Sequence, residues 1–500
     1  MGHKKIKTKN CLAFDLGASN GRAILGEFDG SKIVLRELNR FMNDPVHIRG
    51  EIYWDILKLY NECYKTLTGY SVVENGELIS VGFDSWGSDY GLLCKNGKLI
   101  SNPYHYRDRR TDGILEITNA IMPHEEIEKM TGNACEAYNT LHQLTAHKIH
   151  DPEQLDAAET MLMIPDLMAF FFTGEKSGEF TNITTSQLMD IDRKSWCDVL
   201  INKMGLPKKI FPKIVHPGSI KGSFTKEPGL SHLINTPVVA TATHDTASAI
   251  AAIPGLDPDS VFISSGTWSL IGVETDAPVV NDHVFKYGFT NEGSADGKNL
   301  LLRNTVGMWI FQQCMKDWNE KGDKITYEEV LSKVEKAVAF LSFINTDDKF
   351  FALPGDMPNR VNEYIENSGQ TKLDSPEQMT RSIMESLALR IRYCVENLQM
   401  IQNRKFNKIH VVGGGSKNKI LNQFTADALG IPVCAGPDEA TSTGNILVQL
   451  IASGDITDLT ELRQIVSNSF TQSYYEPKDK QKWDDAYMKY TKIINTDLLK

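Results

Sequence analysis

The sequence predicts an α/β protein made of two large halves that repeat one pattern. Three observations carry this. Short apolar runs alternate with longer amphipathic stretches from end to end, the arrangement of sheets covered by helices. A strand, small-residue turn, strand pattern near the start recurs about 250 residues later, as an internal duplication leaves it. The 500 residues exceed what one hydrophobic core serves, so two domains are expected.

Cys11 to Phe28 reads CLAFDLGASNGRAILGEF, two apolar stretches joined by Gly, Ala, Ser and Asn, which is a β-hairpin pattern. Leu78 to Phe83 reads as a strand. Residues 113–232 are mostly polar-helical and broken by Pro152, Pro165, Gly205, Pro207, Pro212 and Pro217, so a helical insertion is expected after the first sheet. Pro237 to Thr241 is a strand leading to an Ala-rich helix after Asp245. Ser260 to Glu274, SVFISSGTWSLIGVE, is the second hairpin; laying Gly17 on Gly266 puts Asp15 on Ser264 and Ser19 on Trp268. Ile383 to Ile401 is a helix because apolar residues return at Ile383, Leu387, Ile391, Cys394 or Val395, and Leu398. Lys408 to Val412 is a strand running into Gly413, Gly414 and Gly415, then a helix through Asp427 and Leu429. The expected division is 1–246 and 247–500.

Composition excludes several classes. Lys and Arg number 53 against 64 Asp and Glu, a net charge of −11, so a nucleic-acid partner is not expected and anionic ligands need local sites. The basic start, Met1 to Asn10, is followed by no apolar region of signal-peptide length and reads as a soluble tail. Met161 to Phe172 is apolar but interrupted by Pro165 and Asp166 and too short to span, so no membrane segment is expected. The eight cysteines form no C-x-x-C, which leaves no zinc ribbon or redox pair and fits a reducing cytoplasm.

Six segments offer chemistry. In Asp15-Leu16-Gly17-Ala18-Ser19-Asn20-Gly21-Arg22 the small side chains let backbone N–H groups approach an anion, and a carboxylate at the strand end can attend a magnesium ion; an ordinary hairpin explains the same residues. Ser264-Ser265-Gly266-Thr267 offers a second N–H-rich turn with three hydroxyls. The glycines after His410-Val411-Val412 permit close backbone approach at a helix N-terminus, although neither G-x-x-x-x-G-K-[ST] nor G-x-G-x-x-G is present. Asp245, in Thr243-His244-Asp245-Thr246, is a helix cap or a general base. Phe83 to Gly91 and Tyr104 to Thr111 mix aromatics with hydrogen-bonding groups, as sugar sites do, and core packing or a solvated turn accounts for them equally.

The strings DLGASNGR, GFDSWGSDYGLL, YRDRRT, THDTASAI, SSGTWSLIG, LLRNTVGMWIFQQC and VVGGGSKN, in this order from about Cys11 to about Gly454, resemble the FGGY family of carbohydrate kinases, and more closely its rhamnulokinase branch. The resemblance implies two actin-like, ribonuclease-H-like domains with a ligand cleft between them. It implies Asp245 as catalytic base, and Gly87 and His244 as sugar contacts, with Trp86 and Tyr138 added by position. Ala18, Ser19, Asn20, Gly21, Arg22 and Thr267 would face the phosphates of ATP. Asn304, Gln312, Gly413 and Gly414 would line the nucleotide site, and Asp15 stands where members place the carboxylate that attends Mg2+. The first turn reads Ala-Ser-Asn where Ala-Ser-Ser is common, and Asn keeps the turn chemistry.

The reaction so implied is transfer of the γ-phosphoryl group of ATP to O1 of L-rhamnulose, with domain closure on sugar binding. Kinases of L-fuculose, L-xylulose or glycerol are alternatives, because a few pocket contacts decide substrate choice. An actin-like ATPase switch and a catalytically inactive sugar sensor are alternatives of another class. Trp86, Arg107 and Asp245 argue against the switch, and retention of Asp245 and both turns argues against the sensor. Oligomeric state is not legible.

Overall fold

The computed structural model describes residues 8–71, 76–322 and 324–497, so most of the basic start lies outside the described residues. Two compact units divide the chain. Met1–Gly255, Glu274–Leu301 and Glu439–Phe470 form the first, and Leu256–Val273, Leu302–Asp438 and Thr471–Lys500 the second.

The first unit is built on a six-stranded sheet in the order Ile220–Ser223, Pro237–Val239, Leu78–Ser85, Lys9–Leu16, Asn20–Phe28, Ile33–Met42. Lys9–Leu16 and Asn20–Phe28 form the expected antiparallel hairpin, and Leu78–Ser85 lies parallel to Lys9–Leu16 with Asp84 opposite Asp15. Strand Pro237–Val239 is parallel to Leu78–Ser85, so three strands end at one edge. Apolar residues on both faces of the hairpin's first strand are fully buried, including Leu12, Phe14 and Leu16 in one core with Trp54 and Phe83. That is the pattern of a central strand covered on both sides.

Each compact unit draws on more than one stretch of the sequence. Helix Ala440–Ala452, far along the chain, belongs to the first unit, where it packs on Asp245–Ala251. A Cβ on Gly444 would lie 1.9 Å from the Ser248 carbonyl oxygen, so only glycine lets these two helices touch backbone to backbone. The 113–232 stretch is mostly helical with its own core around Leu144, Met161 and Leu200. It also holds short strands, and its last part, Ile220–Ser223, joins the main sheet as an edge strand.

The second unit repeats the same start. Ser260–Ser265 and Trp268–Thr275 form a hairpin, and Lys408–Val412 lies parallel to Ser260–Ser265, with Val433–Ala435 and Ser473–Tyr475 beyond it. The hairpin is one residue shorter than the first. Leu16 pairs with Gly21, whereas Ser265 pairs with Ser269, so Trp268 corresponds to Asn20 and not to Ser19. The predicted helix at Ile383 extends over Pro376–Gln402, started by the Ser375 side chain, and its apolar face enters a core with Phe311, Trp318 and Tyr490. Among the described residues no helix is long and apolar enough to cross a membrane, and all eight cysteines are free.

Candidate functional site

In the first unit, the ends of the three parallel strands gather carboxylates, the position where ligands of open α/β sheets bind. Asp15 is 4 % exposed and Asp84 fully buried. Arg22, on the next strand, pairs with both Asp15 and Glu439. Asp84 accepts from the Asn445 amide at one oxygen, while its other oxygen has no hydrogen-bond partner among the described residues. Burial and the nearby Asp15 charge hold Asp84 well above the usual carboxylate range.

Asp245 begins helix Asp245–Ala251, with His244 as the capping residue; the cap expected of Asp245 is thus shifted by one position. The Asp245 side chain is 31 % exposed, and burial with the Asp15 charge pushes its proton affinity up while His244 opposes the shift. Its hydrogen bonds, from Thr246 N at 2.6 Å and Thr246 Oγ1 at 3.3 Å, both fall on Oδ1. His244 Nε2 is 3.4 Å from the same oxygen, and His244 Nδ1 is 3.1 Å from Glu292 Oε2.

A buried carboxylate from the insertion fixes this loop. Glu179, with no exposure, accepts from Thr243 N at 3.0 Å and Thr243 Oγ1 at 2.7 Å, and also caps the short helix Phe180–Ile183 through Thr181 N and Asn182 N. Thr181 Oγ1 accepts from His244 N at 3.1 Å. The same segment holds the turn after Leu78–Ser85: Ser88 N donates to Thr185 Oγ1 at 2.8 Å. Gly87 lies so close that a Cβ there would meet Thr185 Oγ1 at 2.6 Å. Gly87, His244 and Asp245 are therefore brought together on one hydrogen-bonded support.

Trp86 is 7 % exposed, packed at a tilt against Trp54 with ring centroids 4.2 Å apart, and its indole donates to Asp89 at 2.9 Å. Asp89 also accepts from Trp54 at 2.6 Å and Gln143 at 2.7 Å, and burial lifts its pKa to about 6 against those bonds. Tyr138 is half-buried and its carbonyl accepts from Gln143 at 2.8 Å. The 107–111 segment is a short turn capped by Asp108, from which Arg110 reaches Gln143 and covers the Tyr104 ring at 4.0 Å.

The first turn is folded by Gly17 N donating to Asn20 O at 3.0 Å, and Asn43 holds the Gly17 and Ser19 carbonyls. Ala18 and Asn20 are half-buried, Ser19 is exposed and Gly21 is buried in the strand.

In the second unit, Gly266 N donates to Trp268 O at 2.8 Å, while the Gly266 and Thr267 carbonyls accept from Met308 N and Gly307 N at 2.9 and 3.0 Å. Thr267 Oγ1 donates to Gln312 Oε1 at 3.2 Å, which brings these two predicted residues together. Asn304 is exposed on strand Asn299–Val306. The glycines after Lys408–Val412 do not open the next helix directly. Gly414–Lys417 forms a 3₁₀ turn, and Lys419–Leu429 starts only after Asn418, whose side chain caps Leu421 N. Gly413, at φ +78°, adopts a conformation that other residues avoid, and a Cβ there would lie 3.0 Å from Ser265 O.

Asp84, Glu179, Glu292 and Glu439 join the site without a role expected from the sequence. Asp84 lies within the segment Phe83 to Gly91, but its place opposite Asp15 depends on strand pairing. Glu292 and Glu439 gave no local signal, since their partners are distant in sequence.

Residues 10–252 match the N-terminal domain of the FGGY family of carbohydrate kinases and residues 261–453 its C-terminal domain. A rhamnulokinase of Bacteroides thetaiotaomicron is 40% identical over 488 residues, covering 97% of this chain and 99% of that one. A rhamnulokinase of Pectobacterium atrosepticum is 37% identical, covering 95% and 94%. In fold, the chain is similar to a ligand-bound xylulose kinase from Lactobacillus acidophilus, with TM-score 0.82, 17% identity and 98% of each chain covered. It is also similar to Plasmodium falciparum glycerol kinase with ADP, with TM-score 0.80 and 16% identity over 98% of each. With both domain profiles matched in order and a relative similar along almost its whole length, this chain belongs to the FGGY family of carbohydrate kinases.

Proposed function

We propose that this enzyme transfers the γ-phosphoryl group of ATP to O1 of L-rhamnulose, giving L-rhamnulose 1-phosphate and ADP in L-rhamnose catabolism. The observation that carries the sugar is the full-length similarity to proteins named rhamnulokinase, 40% identical in the first case. The observation that carries the chemistry is Asp245, a partly exposed carboxylate at a helix start with its proton affinity raised. A base whose pKa moves toward neutrality is better matched to a hydroxyl proton than an ordinary aspartate.

Gly87, His244, Trp86 and Tyr138 bind the sugar in this reading. Trp86 serves as a wall, since its N–H is committed to Asp89. Ala18, Ser19, Asn20, Gly21, Arg22 and Thr267 serve the phosphates, and Asn304, Gln312, Gly413 and Gly414 the nucleotide. Asp245 accepts the O1 proton at Oδ2, because its hydrogen bonds occupy Oδ1.

The residues fit Mg2+ as a partner of ATP and not of the bare protein. Among the described residues no group of three or more His, Cys, Asp or Glu forms a metal cage. Magnesium is commonly bound through one or two carboxylates plus phosphates and waters. Asp15 and the unpartnered oxygen of buried Asp84 supply that much. When bound, the ion neutralises charge on the phosphates.

The test is ADP release with Mg-ATP across L-rhamnulose, L-fuculose, D-xylulose, L-ribulose and glycerol, with a no-sugar blank. Stimulation by L-rhamnulose far above the others is expected. Preference for another acceptor would move the substrate, and sugar-independent turnover would favour an ATPase switch.

A further inference from the structure

We infer that Glu292 is a positioning residue for phosphoryl transfer: it holds the His244 ring so that the ring anchors Asp245 Oδ1 and leaves Oδ2 as the proton-accepting atom. This rests on the reading of Asp245 as the general base.

The His244 ring lies between two carboxylates. Its two nitrogens face two different carboxylates, Glu292 Oε2 at 3.1 Å and Asp245 Oδ1 at 3.4 Å. A neutral imidazole donates from one nitrogen only, so just the doubly protonated ring serves both. His244 Nδ1 and Glu292 Oε2 are buried and face each other at ion-pair distance, and neither makes a well-directed hydrogen bond among the described residues. Each therefore depends on the other, because a buried charge without a partner is costly.

The surroundings agree. The charged groups facing His244 are Glu292 on strand Thr290–Gly293, Asp245 on its own helix and Glu179 from the insertion, all carboxylates. Burial pushes the imidazolium down, and Glu292, then Asp245 and Glu179, override it to hold His244 at about 9. Asp15 and Asp84 act on Asp245 in turn. Glu292 is itself held in place, since the next residue, Gly293, donates its N–H to Thr184 Oγ1 at 2.8 Å on the segment that also binds Ser88 and His244.

On Asp245, Thr246 N, Thr246 Oγ1 and His244 Nε2 all converge on Oδ1. A carboxylate tied down at one oxygen presents the other with a fixed direction. When Oδ2 takes the O1 proton, Asp245 becomes neutral and His244 keeps its own protons, so Glu292, with Glu179 behind it, then balances the ring. The proton inventory closes without a further donor or acceptor.

The experiment combines Glu292→Gln and Glu292→Asp in the full chain with the pH dependence of kcat and titration of His244 by 15N-histidine NMR without substrates, assigned through His244→Asn. The wild-type ring should titrate near 9, and the basic limb of kcat should follow it. Glu292→Gln should lower kcat about 10- to 100-fold, as misplacement of a reacting group does, leave KM for ATP unchanged, and move the ring titration and basic limb to lower pH. Glu292→Asp should recover part of kcat. A wild-type ring titrating at or below an ordinary histidine would overturn the inference, as would a Glu292→Gln enzyme whose kcat or basic limb does not move. Should Glu292→Gln fail to fold, the wild-type titration and the Glu292→Asp profile decide. If no sugar is phosphorylated, the kinase reading fails, and the substrate-free titration still answers for Glu292.

Discussion

The two hairpins of this chain share a framework and differ in charge. Each has a parallel third strand beside its first strand, Leu78–Ser85 in one and Lys408–Val412 in the other. Each turn is closed by a glycine N–H, from Gly17 to Asn20 O and from Gly266 to Trp268 O, and in each the turn carbonyls are tied back, by Asn43 or by Gly307 and Met308. Along the strands the chemistry diverges. Asp15 faces Arg22 and Asp84, whereas its counterpart Ser264 faces Leu270 and Val412. The two hairpins share backbone geometry while only the first carries carboxylates and an arginine at these positions, so in the proposed reading the first would serve proton transfer and metal attendance and the second neutral ligand contacts.

Asp245→Asn attacks the charged side hardest. It should cost about 10²- to 10⁴-fold in kcat with little change in fold or ATP affinity, measured as ADP release alongside thermal melting. Next comes Arg22→Leu, which writes the second hairpin's Leu270 into the first. Arg22 is the cation between Asp15 and Glu439, with its side chain 20% exposed, and its loss should cost about 3 kcal/mol in denaturant unfolding. Adding Asp15→Ser, the other counterpart residue, should recover part of that stability without recovering turnover. If the double variant is no more stable than Arg22→Leu, Asp15 is not the group left uncompensated.

On the neutral side the effects should fall on binding. Gly413→Ala combines a positive φ with contact to Ser265 O and should raise KM for ATP more than it lowers kcat, at a stability cost of about 1 to 3 kcal/mol. Gln312→Ala removes a neutral hydrogen bond to Thr267, worth about 0.5 to 1.5 kcal/mol, and should raise KM for ATP severalfold at most. A larger kcat effect from either would erase the contrast between the two hairpins.

Much of this framework was legible because a covered strand must be apolar throughout and a tight turn must be small. Both hairpins and strands Leu78–Ser85 and Lys408–Val412 follow those rules, and helix Pro376–Gln402 follows the three-to-four spacing of its apolar residues. The one-residue offset between the turns was not legible, since register depends on pairing. Helix Ala440–Ala452 shows no sign in its own residues that it packs beside Ser248. The candidate base was visible as a polar residue between a strand and an Ala-rich helix. Its supports, Glu179 and Glu292, were not, because a buried carboxylate looks like any surface one until its partners are known.

The most direct measurement is the identity of the product. The enzyme with Mg-ATP and L-rhamnulose should yield a sugar phosphate whose 31P signal couples to the two protons on C1, in amounts equal to the ADP formed, and Asp245→Asn should yield almost none. A phosphate on another carbon, or ADP accompanied only by inorganic phosphate, would contradict the account.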